Sequence, residues 1–73
     1  MPDPLKSAAA TRYRTSPTTQ VAIVELSPGS FEAQIQVLVP ERPGQMHEHW
    51  SGGNWCPLDA STWDEARALF GVV

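Results

Sequence analysis

Hydrophobic and polar residues alternate along residues 31–39, the most regular pattern in the chain. The apolar members of this pattern are Phe31, Ala33, Ile35, Val37 and Val39, and the polar members between them are Glu32, Gln34 and Gln36. Alternation with a period of two predicts a strand with one buried face and one polar face. A second strand is predicted from Gln20 to Leu26, because β-branched residues are frequent there and the Ser-Pro-Gly-Ser run at 27–30 supplies a turn.

The predicted register of this hairpin pairs Leu26 with Phe31. Because side chains alternate along a strand, this register places the even-numbered residues of the first strand on the apolar face of the second. The opposite face then carries Val21, Ile23, Gln34 and Gln36. We interpret this mixed face as a candidate contact surface for a partner protein. The alternative is two isolated surface aliphatic residues, which need no functional explanation.

A second hairpin is predicted over residues 46–58, with Gly52 and Gly53 as its two-residue turn. This register places Trp50 opposite Trp55, where an aromatic pair stabilises adjacent strands. It also places Cys56 opposite His49.

A short C-terminal helix is predicted after Ser61. Thr62 and Glu65 have the spacing of a capping box, Ser61 and Asp64 are a rival pair, and Gly71 suits the end of a helix. The apolar stripe of this helix consists of Trp63, Ala66, Leu69 and Phe70. We expect the stripe to cover the apolar face of the sheet.

These elements predict a small α+β fold. It is an antiparallel β-meander of three to four strands with one C-terminal α-helix packed on one face, and residues 20–73 form this single domain. Residues 1–19 are rich in Pro, Ala, Ser and Thr, which is typical of an extended N-terminal arm. The segment 12–15 alternates enough to add a fifth strand.

Charge is distributed unevenly along the 73 residues, whose formal net charge is −3. Residues 1–15 carry three cations and one acid, a net +2, whereas residues 16–73 carry a net −5. A body so poor in Lys and Arg offers little neutralisation of phosphates, so we expect no direct nucleic-acid binding by it. The charged and aromatic candidates for partner contacts are Arg12, Tyr13, Arg14, Glu25 and Glu32.

The size of the chain argues against catalysis, because a domain of this length has little interior for a substrate cleft. Its single cysteine permits no intramolecular disulfide, and no segment has the apolar length of a signal peptide or a membrane span. We expect a location in the cytoplasm or within a particle assembled inside the cell, and no membrane partner.

His47, His49 and Cys56 form the one cluster that suggests chemistry. His47 and His49 are two residues apart and share a strand face, and the predicted hairpin brings Cys56 beside them. Imidazole and thiolate groups are zinc ligands, so zinc is the one candidate cofactor. The alternatives are an exposed histidine pair with a passive thiol, and a Cys–His nucleophile for which no orienting third group is identified.

We therefore hypothesise a non-enzymatic protein–protein interaction module. It would be a small accessory or decorating subunit of a larger assembly, docked through its sheet and N-terminal arm. Two alternatives stay open. One is a compact phage-type inhibitor whose acidic body occludes a nucleic-acid-binding surface on a target protein, and the other is a small zinc-binding module. A homo-oligomer is also compatible with the sequence.

Overall fold

A computed structural model describes residues 4–44 and 47–72 of the chain. Its elements, in chain order, are helix α1 (Pro4–Ala9), strands β1 (Thr11–Ser16), β2 (Thr19–Ser27), β3 (Ser30–Val39), β4 (His49–Gly52) and β5 (Cys56–Leu58), and helix α2 (Trp63–Ala68). The strands form one antiparallel sheet in the order β1-β2-β3-β4, and β5 also pairs with β3. The predicted α+β meander is confirmed, including the fifth strand from the N-terminal segment.

β2 lies at the centre of the sheet and is buried on both sides from Gln20 to Val24. We call the side that α2 covers the helix face. Its core residues are Val21, Ile23, Phe31, Ala33, Ala60 and Ala66, with Tyr13, Leu58, Trp63, Phe70 and Val72 packed against them. We call the opposite side the glutamine face, because it carries Gln20, Gln34 and Gln36, and α1 packs there against β2.

The predicted register of the β2–β3 hairpin is wrong by one residue. Glu25, rather than Leu26, lies opposite Phe31, and the register shifts between Glu25 and Ser27. In the turn, Gly29 follows a proline and has a φ of 78°, a combination typical of a type II turn. Turns of this type match the twist of paired strands poorly, and an extra residue in one strand absorbs the mismatch.

The shifted register moves Val21 and Ile23 from the predicted contact surface into the core. Their side chains lie on the helix face and are at most 1% exposed. Gln34 and Gln36 stay on the opposite face but are buried as well. The mixed, exposed face that the sequence predicts is therefore not formed.

The predicted second hairpin is also wrong, because β4 and β5 do not pair with each other. Both run along one edge of β3, where Trp50 lies opposite Leu38 and Cys56 lies opposite Ala33. Between these segments, residues 53–55 face only residues 34–35 of β3, so β4 and β5 form one edge strand interrupted by a bulge. The expected pairs Trp50–Trp55 and Cys56–His49 are absent. Residues 45–46, near the start of the predicted hairpin, lie outside the described residues.

The stripe of α2 covers less of the sheet than the sequence predicts. Trp63 meets Phe31 edge to face, with ring centroids 5.1 Å apart, and Ala66 is fully buried. Ile35, Val37 and Leu69 are instead about half exposed. The helix therefore covers the end of β3 nearest the β2–β3 turn and leaves the other end open.

The N-terminus of α2 is capped as predicted. The Thr62 hydroxyl accepts a hydrogen bond from the Glu65 backbone N–H at 3.2 Å, and the Glu65 carboxylate accepts one from the Ser61 N–H at 3.0 Å. These bonds provide acceptors for the backbone N–H groups of Glu65 and Ser61. The Glu65 N–H lies in the first turn of α2, where an α-helix itself supplies no acceptor.

Replacing Thr62 by alanine is expected to lower the free energy of unfolding by about 1 kcal/mol, since the Glu65 N–H loses its acceptor. Ser61→Ala is the matched control, because Ser61 contributes its backbone N–H to the cap and keeps that donor as alanine. Urea denaturation followed by circular dichroism measures both variants. Equal losses in the two would contradict the assignment of Thr62 as the cap.

The C-terminus of α2 ends in a Schellman motif, in which the N–H groups of Gly71 and Val72 donate to the carbonyls of Ala68 and Arg67 at 3.1 and 3.0 Å. Gly71 has a φ of 70°, the left-handed conformation that the sequence predicts at this position. The motif turns the chain back, so that Phe70 and Val72 pack on the core.

Candidate functional site

Three buried glutamines form a hydrogen-bonded chain across the glutamine face. Gln20 Nε2 donates to Gln36 Oε1 at 2.6 Å, Gln36 Nε2 donates to Gln34 Oε1 at 2.7 Å, and Gln34 Nε2 donates to the Gly53 carbonyl at 2.7 Å. Burial of a primary amide is costly unless it is hydrogen-bonded, so this chain fixes β2, β3 and the bulge relative to one another. Gln34 and Gln36, predicted as contact residues, are occupied inside the sheet.

Arg14 and Trp50 lie over this chain of amides. The Arg14 guanidinium is 5.0 Å from the centroid of the Trp50 ring, a cation–π contact. Arg14 is in register with Gln20, and Trp50 is in register with Leu38, so β2 and β3 lie between their two strands. The two side chains therefore meet across the sheet and shield the glutamine amides from solvent.

The predicted arm is, from Pro4 to Ser16, largely a helix and a strand of the domain itself. β1 pairs regularly with β2 from Thr11 to Arg14. Tyr13 lies on the helix face and packs against the core, so alternation places Arg12 and Arg14 on the glutamine face. Residues 1–3 of the predicted arm lie outside the described residues.

β1 is an edge strand of the sheet. Within residues 4–44 and 47–72 it has a hydrogen-bonded neighbouring strand, β2, on one side only. An edge strand presents a row of backbone N–H and C=O groups that another extended chain can pair with. The sheet therefore has a polar backbone edge beside the side chains predicted to bind a partner.

The first third of the chain gives this edge a basic character. Residues 4–24 contain Lys6, Arg12 and Arg14 and no Asp or Glu. Lys6 pairs with Glu32 at 2.8 Å, so Glu32, a predicted contact residue, forms an ion pair within the domain. Glu25 is exposed close to the β2–β3 turn, where its carboxylate accepts the Gly29 N–H at 3.3 Å. Arg12 and Arg14 are the cationic residues of β1, and the Arg14 guanidinium lies over the Trp50 ring.

A surface cavity of about 340 Å³ adjoins the end of β1. Its lining residues are Arg14, Thr15, Phe70, Gly71 and Val72. Two of these residues, Phe70 and Val72, also pack against the core. This cavity was not predicted from the sequence. Gly71 signalled the end of α2, but the return of the chain past β1 depends on tertiary packing.

The three predicted zinc ligands are not brought together. His49 lies opposite Val39 and Cys56 lies opposite Ala33, six residues apart along β3, which corresponds to about 20 Å. No group of three metal-binding side chains occurs among the residues that the structure describes. The predicted grouping is therefore wrong, and with it the Cys–His nucleophile loses its geometry.

No protein-family model, curated protein or solved structure matches this chain. Among residues 4–44 and 47–72, no helix has the length and apolar character that crossing a membrane requires. The surfaces of the domain itself are therefore the basis for inferring its function.

Proposed function

We propose that the protein is a non-enzymatic protein-interaction module that binds its partner through the β1 edge, as a small accessory subunit of a larger assembly. The observation that supports the proposal is the position of β1, which carries Arg12 and Arg14, at the edge of the sheet beside a surface cavity. Arginine is among the residues most enriched at the energetic centres of protein interfaces.

The contrast of charge within the chain favours a protein over a nucleic acid as partner. The β1 edge is basic, whereas residues 16–73 carry a net −5. A nucleic acid that contacted Arg12 and Arg14 would also approach this acidic body and be repelled. A protein partner can place a small acidic surface against β1 alone.

The β1 edge is held in place before a partner arrives. Tyr13 anchors the strand in the core, and Arg14 is fixed by its contact with Trp50. Binding to a surface that is already ordered costs less conformational entropy than ordering a free arm. This feature supports docking through a fixed strand in place of the flexible arm that the sequence predicts.

An intracellular setting is part of the proposal. Cys56, the single cysteine of the chain, is exposed. In an oxidising compartment an exposed thiol would form disulfides with other proteins, whereas a reducing compartment keeps it free.

Arg12→Glu is expected to weaken capture of the partner about tenfold or more, because it reverses a charge at the binding edge. Arg42→Glu is the matched control: Arg42 is an exposed arginine outside the strands of the sheet, and the change in net charge is the same. Tagged chains are expressed in the native host, co-purifying proteins are quantified by mass spectrometry, and the dissociation constant of the identified partner is measured with purified components. If both variants retain the partner equally, or if both lose it equally, the interface does not lie at the β1 edge.

A further inference from the structure

We draw no further inference here: the strongest candidate, the half-exposed apolar end of the helix face at Ile35 and Val37, which α2 leaves open, carries none because nothing in the structure shows what covers it.

Discussion

Replacement of Phe31 by alanine is expected to lower the free energy of unfolding by about 4 kcal/mol, equivalent to a fall in Tm of roughly 15–30 °C for a domain of this size. Phe31 is 2% exposed and meets Trp63 edge to face. The substitution therefore leaves a cavity between the sheet and α2 and removes the aromatic contact. Thermal unfolding followed by circular dichroism provides the measurement.

Leu26→Ala is the control for Phe31→Ala, because Leu26 lies on the same hairpin but is 46% exposed. We expect it to cost about 1 kcal/mol. A double-mutant cycle with Trp63→Ala should give a coupling of about 0.5–1.5 kcal/mol between the two rings. A coupling near zero would contradict the packing of α2 against the start of β3.

Replacement of Gly52 by alanine is expected to destabilise the domain by about 3 kcal/mol, since a displaced Gln34 loses two buried hydrogen bonds. A Cβ atom at Gly52 would overlap Gln34 Cδ, so the Gln34 side chain must leave its place. That movement breaks its bonds to Gln36 and to the Gly53 carbonyl. Urea denaturation measures the loss, and the side-chain amide signals of the glutamines in NMR spectra report the broken chain.

Gly53→Ala is a matched control, because a Cβ atom there meets nothing within 4 Å. Glycine to alanine substitution also reduces the entropy of the unfolded chain, which favours folding in both variants. A loss of stability in Gly52→Ala but not in Gly53→Ala is therefore due to the contact with Gln34. Similar stabilities of the two variants would show that the glutamine chain is not formed as described.

Features that depend on neighbouring residues were predictable from the sequence. The Thr62 cap, Gly71 at the end of α2 and the turn at 27–30 all follow from local backbone chemistry. The apolar alternation of β3 likewise predicted a strand. The meander and its helix follow from these local signals.

Features that depend on distant residues were not predictable. The pair Gly52-Gly53 has the composition of a tight turn, but Gly52 is needed because the Gln34 side chain, distant in sequence, lies against it. The register shift between Glu25 and Ser27 cannot be recognised from the pattern of apolar residues. A shift of one residue nevertheless exchanges the two faces of β2. The alternation of β3 predicted polar exposure at Gln34 and Gln36, but both are buried, with their amides hydrogen-bonded to each other.

Some features of the candidate site were likewise predictable from the sequence, and others were not. The sequence predicted partner contacts at Arg12, Tyr13 and Arg14 because their residue types are common in interfaces. All three residues lie on β1. The role of Tyr13 as a core residue, the edge position of the strand and the cavity beside it required the tertiary structure. The predicted grouping of His47, His49 and Cys56 depended on a hairpin that does not form.

The two edges of the sheet differ in how they can receive another chain. The edge made of β4 and β5 is broken by the bulge at 53–55, and Pro57 in β5 has no N–H to donate. The β1 edge is regular over residues 11–14. A sheet with one regular edge can accept an added strand on that edge only. It can therefore be the last member of a series of paired sheets, but it has no second regular edge with which to pair the next chain. A chain paired with β1 would therefore be the last strand that this sheet could receive, so the sheet itself could not grow into a filament.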